Sequence, residues 1–219
     1  MSTVFIDRDG VINENRDDYV KSWSEFRFIA GAREAIARLT RAGHTIVVCT
    51  NQAAIARGQV SIEVVEDIHR RMVAEIAAVG GEVTKVYYCP HAKDANCSCR
   101  KPRPGMLLRA RDELDVDLND AVFIGDSITD VQAGLAAGVR SILVLSGLGV
   151  DQFRNHHHEA NGPYRISMDL KDAVERILQG LDLQNGVQSV LEHACYSFLD
   201  ISKRLDMLST EELRLPTEV

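Results

Sequence analysis

Asp7 and Asp9 stand two residues apart at the end of a short apolar run, Thr3–Ile6. In extended chain, residues i and i+2 point to the same side, so both carboxylates face one site. A carboxylate is a competent nucleophile toward phosphorus and yields an aspartyl-phosphate. Its neighbour can protonate the leaving oxygen and later take a proton from the water that cleaves the intermediate. Two carboxylates alone would repel a phosphate dianion, so the site requires a cation. Mg²⁺ prefers oxygen ligands and tolerates one or two carboxylates plus a phosphate. Asp126, in Gly125-Asp126-Ser127 after another apolar run, is the natural third anionic partner. Thr50, in Cys49-Thr50-Asn51-Gln52, offers a hydroxyl at a strand end, and Lys101, in Cys99-Arg100-Lys101-Pro102, offers a point charge. Both suit the charge that spreads over phosphoryl oxygens during transfer.

A second cluster has the spacing of a metal site. Cys89-Pro90-His91 is followed, five residues on, by Cys97-Ser98-Cys99. Three thiolates and one imidazole make a closed tetrahedral zinc set with no position left for catalytic water. Zn²⁺ is therefore expected to be structural, and the loop it shapes runs directly into Arg100 and Lys101. Residues 92–96 contain almost nothing apolar to hold such a loop without a metal.

These groups need a scaffold that delivers them to one place. Thr3–Ile6, Thr45–Cys49, Val83–Tyr88, Ala121–Ile124 and Ser141–Leu145 read as strands buried on both faces. Helical periodicity lies between them, with Ser61 as an N-cap, Pro104 at a helix start and Gly138 at a helix stop. Alternating strands and helices predict an α/β fold, a Rossmann-like parallel sheet flanked by helices. In such sheets ligands bind beyond the carboxyl ends of the strands, where Asp7, Thr50 and Asp126 fall. A further strand, Tyr164–Ser167, and a helix extend one domain over residues 1–180, with the zinc loop at 89–99. Residues 180–186 read as a linker. Val187, Leu191, Ala194, Phe198, Ile201, Leu205 and Leu208 then form a heptad stripe, so residues 187–209 are expected to form an amphipathic helix. That helix either docks on its own domain or pairs two chains, leaving monomer and homodimer both open. His156-His157-His158 reads as a solvated loop.

The 219 residues carry a formal net charge of −7, with 45% hydrophobic and 26% charged residues. That balance argues against a nucleic-acid or anionic-membrane surface. No apolar run is long enough for a membrane span, and the N-terminus lacks a signal-peptide layout. A cytoplasmic location is expected. Five cysteines, three of them between positions 89 and 99, favour metal binding over disulfides.

In combination, the four segments around Asp7, Thr50, Lys101 and Asp126 resemble the motifs of the haloacid dehalogenase superfamily of aspartyl-phosphate phosphatases, over about residues 3–145. The resemblance implies Asp7 as nucleophile, Asp9 as acid/base, Thr50 and Lys101 as phosphate stabilisers, and Mg²⁺ held by Asp7, the Asp9 backbone carbonyl and Asp126. Asp130 is a secondary metal candidate. The zinc loop, Pro104-Gly105-Met106 and Ile55-Ala56-Arg57-Gly58 narrow the resemblance to the D-glycero-D-manno-heptose 1,7-bisphosphate 7-phosphatases, whose relatives include the histidinol-phosphate phosphatases. Carried over by position, Asn51, Gln52 and Arg100 are implied to touch substrate, a small phosphorylated sugar, with Arg57 and Tyr19 as further candidates. The chain departs from the subgroup at Ala53-Ala54, where Ser-Gly is common, and at Ser127, where some members carry lysine. No room exists for a separate cap domain. A flap over residues 14–28 with Trp23 and Phe26, and a wall from the zinc loop, are expected instead. The competing readings are a histidinol-phosphate phosphatase or other small phosphomonoesterase, and a zinc-stabilised scaffold without activity.

Overall fold

The computed structural model describes residues 2–180. The predicted linker and heptad helix lie outside the described residues, apart from Gly180. Six parallel strands form one sheet in the order β3-β2-β1-β4-β5-β6. They are β1 (Thr3–Ile6), β2 (Thr45–Asn51), β3 (Lys85–Cys89), β4 (Val122–Gly125), β5 (Arg140–Val144) and β6 (Arg165–Ser167). The helices are α1 (Ala32–Arg41), α2 (Ile62–Ala77), α3 (Gly105–Leu114), α4 (Ile128–Ala136), α5 (Gly149–His156) and α6 (Leu170–Leu178).

Alternation along the strands divides the core in two. Val4, Ile6, Ile46, Val48, Val122, Ile124, Ile142 and Val144 face one way and meet the apolar stripes of α1, α2 and α6. Phe5, Val47, Cys49, Tyr87 and Phe123 face the other way and meet Met106, Leu107 and Ala110 of α3. Strand order reverses between β1 and β4, which opens a crevice at their carboxyl ends. Ile6 lies in register with both Val48 and Ile124. Asp7 and Asp126, just beyond β1 and β4, and Thr50, near the end of β2, are thus brought to the same edge of the sheet.

Local chemistry fixes the ends. Ser61 accepts a hydrogen bond from Val64 N at 3.3 Å and caps α2. Ser127 and Asp130 form a capping box on α4, while Pro104 stands immediately before α3 and Gly138, at φ 76°, follows α4. Three expectations need correction. β3 is an edge strand with Lys85 exposed, so it is not buried on both faces. β2 runs on to Asn51 because its last residues still pair with Tyr88 and Cys89. The histidine run is not a loop: it closes α5 and continues as a 3-10 turn, with His156 Nδ1 at 2.9 Å from Glu159 Oε1 and His157 Nδ1 bonded to Phe153 O at 2.8 Å.

Candidate active site

β1 carries its ladder one residue past its end, as Asp7 N donates to Ile124 O at 2.9 Å. That bond sets the Asp7 carboxylate at the mouth of the crevice. Lys101 Nζ lies 2.8 Å from Asp7 Oδ1 and 2.6 Å from Asp130 Oδ1, and it donates to the Cys49 carbonyl at 2.9 Å. Asp126 Oδ2 accepts from Leu148 N at 2.8 Å, and Asp130 Oδ2 accepts from Ser127 N at 3.1 Å. Asp7, Lys101, Asp126 and Asp130 are all buried. With Asp9, Thr50 and Asn51 they line a cavity of about 350 Å³, which residues 15–17, Tyr19, Val20 and Leu148 also border.

The electrostatics call for a cation. Carboxylate oxygens of Asp7, Asp126 and Asp130 lie within 4.8 Å of one another, facing the single ammonium of Lys101. Burial raises the Asp7 pKa to about 7; the Asp130 and Asp9 charges add to that effect, and Lys101 opposes it. Burial and then the Asp7 and Asp130 charges push Asp126 well above the carboxylate range. Burial disfavours the Lys101 ammonium, but Asp130 and Asp7 outweigh it and raise its pKa. Three hard oxygen donors with surplus negative charge in a small buried space fit Mg²⁺. The space is tight: Gly10 (φ 83°) and Gly147 (φ 57°) pack against each other, and a Cβ on either would fall within 2.3 Å of Asp126 Oδ2.

Asp9 belongs to a different network. Arg8, only 1% exposed, donates from Nη2 to both Asp9 oxygens at 2.8 Å and from Nε to Oδ1 at 3.3 Å. Asn13 Nδ2 and Gln52 Nε2 add bonds of 3.0 and 2.8 Å. Burial acts to raise the Asp9 pKa, but the Arg8 charge and these bonds prevail and hold it below the usual carboxylate range.

The substrate candidates divide. Tyr19 and Asn51 border the cavity. The Asn51 side chain, however, pairs with the Lys101 backbone, accepting from N at 3.1 Å and donating to O at 3.2 Å. Gln52 is buried and spent on Asp9, on Thr50 Oγ1 at 2.9 Å and on Arg8. In this arrangement its side chain supports Asp9. Arg57 is exposed and lies over the Tyr19 ring at 5.5 Å. Arg100 donates to the His91 carbonyl at 3.3 Å; neither it nor Arg57 lines the cavity. The flap contributes residues 15–17, Tyr19 and Val20 to the wall, whereas Trp23 and Phe26 stack on each other at 5.0 Å and pack into the core. The zinc loop contributes no wall residue. Arg8, Asn13 and the Leu148 amide are parts of the site that residue spacing does not reveal.

Cys89, His91, Cys97 and Cys99 converge. Cys89 Sγ lies 3.5 Å from His91 Nδ1 and 3.6 Å from Cys97 Sγ, and Cys99 Sγ lies 3.3 Å from His91 Nδ1. Ligands at zinc distances around a tetrahedron stand about 3.5–3.8 Å apart, so the donor set and its edges fit Zn²⁺.

A HAD-hydrolase-like family model matches residues 98–173. The D-glycero-beta-D-manno-heptose-1,7-bisphosphate 7-phosphatase of Pseudomonas aeruginosa is 47% identical over 149 residues, covering 68% of this chain and 84% of that protein. Its counterpart from Neisseria meningitidis is 37% identical over 179 residues, covering 82% of this chain and 96% of that protein. The crystal structure of D,D-heptose 1,7-bisphosphate phosphatase from B. bronchiseptica, complexed with magnesium and phosphate, superposes with a TM-score of 0.76 at 39% identity, covering 82% of this chain and 99% of that one.

Proposed function

We propose residue roles for a chain that belongs to the D-glycero-D-manno-heptose-1,7-bisphosphate 7-phosphatase family of the HAD-like hydrolases. It is a phosphomonoester hydrolase that removes the 7-phosphate of the heptose bisphosphate. The names of these two relatives favour the beta anomer.

In this reading the Asp7 carboxylate attacks the phosphorus, and the bond to the sugar oxygen breaks. The departing oxygen takes a proton from the Asp9 carboxyl. Water then attacks the aspartyl-phosphate, Asp9 takes the water's proton, and inorganic phosphate leaves as Asp7 is regenerated. Lys101 and the Thr50 hydroxyl hold the non-bridging oxygens. Asp7, Asp126 and the Asp9 carbonyl are assigned to Mg²⁺, with Asp130 beside them; the ion, when bound, neutralises phosphate charge. Zn²⁺ is assigned to Cys89, His91, Cys97 and Cys99 as a structural ion. The thiolate set suits a reducing compartment and hence the cytoplasm.

The observation that carries this reading is the convergence of Asp7, Asp9, Lys101 and Asp126 on one cavity. Side-by-side turnover of both heptose bisphosphate anomers and histidinol phosphate tests it. The beta heptose ester is expected to give the highest kcat/KM; preference for histidinol phosphate would overturn the substrate assignment.

A further inference from the structure

The buried face of α2 reads Val65, Ile68, His69, Met72 and Ile76, an apolar stripe interrupted by one imidazole. His69 is 6% exposed, and its ring rests against Tyr88, with centroids 5.4 Å apart. Its Nε2 lies 3.0 Å from Arg8 Nη1. A guanidinium has only donors, so Nε2 is the acceptor, and the ring is the neutral tautomer with its proton on Nδ1. Burial, and then the Arg8 charge, oppose a second proton there.

Arg8 is among the largest fully buried side chains of the protein. Its N–H groups go to His69, Gln52 and both oxygens of Asp9. Without His69, Nη1 would be left unpaired in the interior, which is costly, and the guanidinium would turn to find another acceptor. Asp9 would move with it. The Asp9 carboxylate receives donors from Arg8, Asn13 and Gln52 on its two oxygens. An oxygen bearing a proton does not sit well among so many donors. The observed arrangement therefore suits the carboxylate that Asp9 becomes once it has protonated the leaving oxygen, the form that accepts a proton in the second half.

We propose that His69 is a positioning residue, which locks Arg8 so that Arg8 holds the Asp9 carboxylate in place for the second half of the reaction. This inference rests on the role of Asp9 given under Proposed function. In the step concerned, a water oxygen bonds to the phosphorus, the bond from phosphorus to the Asp7 oxygen breaks, and the water's proton passes to Asp9. Displacement of Asp9 by about 1 Å is enough to slow such a step roughly a hundredfold.

The test is His69→Leu in the full-length enzyme with Mg²⁺ and zinc, using heptose bisphosphate and p-nitrophenyl phosphate. The expected result is a fall in kcat of about tenfold or more for both substrates, because the intermediate is common. With p-nitrophenyl phosphate, whose leaving group departs without a proton, KM should fall in parallel, leaving kcat/KM within about threefold of wild type. Acid quenching during turnover should recover more covalent phosphate on the variant than on wild type, and His69→Gln should restore much of kcat. If His69→Leu does not fold, Arg8→Lys, which keeps the charge without the fork, reads the same step. Unchanged kcat, or equal losses in kcat and kcat/KM for p-nitrophenyl phosphate with no added phosphoenzyme, would overturn the inference. If wild-type enzyme turning over yields no covalent phosphate on Asp7, the underlying mechanism fails instead, and the two failures are distinct.

Discussion

At the scale of single residues, the Asp9 network shows how a side chain far along the chain bears on the chemistry. Asp7, Asp9, Lys101 and Asp126 were legible because each couples a reactive type to a strand end or a metal-shaped loop. Arg8 was not, since a residue between two carboxylates tells nothing of its own partners. His69 was not, because it stands 61 positions from Arg8 within an apolar helical stripe. Asn51 and Gln52 were expected at the substrate; their side chains bond to the Lys101 backbone and to Asp9, partners that a resemblance by position does not encode. His69 also makes stability depend on pH. Its pKa falls from 6.5 to about 3 in the folded protein, through burial first and the Arg8 charge second. The unfolded chain therefore takes up that proton first. The stability His69 contributes is complete above about pH 6.5 and drains away as pH falls toward 3. Denaturant unfolding at pH 7 and pH 5 should show wild type losing more stability than His69→Leu; parallel losses would contradict this.

At the scale of elements, the loops beyond β1, β4 and β5 pack closely around Asp126. The parallel sheet and most helices followed from periodicity and caps. α5 escaped notice because only Gly149 within it is buried, so it has almost no apolar face to read. The edge position of β3 depends on strand order, which periodicity does not encode. Gly147→Ala should force φ 57° on a residue with a Cβ and drive that atom to 2.3 Å from Asp126 Oδ2. A loss of about 1–3 kcal/mol is expected, with weaker Mg²⁺ activation. Normal Mg²⁺ dependence at unchanged melting temperature would refute that packing argument. The zinc loop meets the site through Lys101, whose backbone pairs with Asn51. Removing zinc should therefore lower both melting temperature and kcat, and added Mg²⁺ should not restore either. Full activity of demonstrably zinc-free protein would remove the proposed coupling.

At the scale of the whole molecule, the residues proposed for catalysis and for zinc all lie between positions 7 and 126. The cavity is bordered by residues 15–17, Tyr19, Val20 and Leu148 and has no separate cap domain among the described residues, which suits a small phosphorylated sugar. A chain ending at Gly180 should therefore keep kcat/KM within about threefold of full length. Loss of activity in a folded truncated protein would mean that residues beyond 180 take part in the site. Mass measurements on the two lengths would also decide between monomer and helix-paired dimer, which heptad spacing alone leaves open.

The most direct measurement is phosphate release by Asp7→Asn, with the protein folded and zinc-loaded. An amide cannot form the acyl phosphate, so turnover of heptose bisphosphate should drop by about a thousandfold or more while the ester still binds. Release at the wild-type rate would contradict the account.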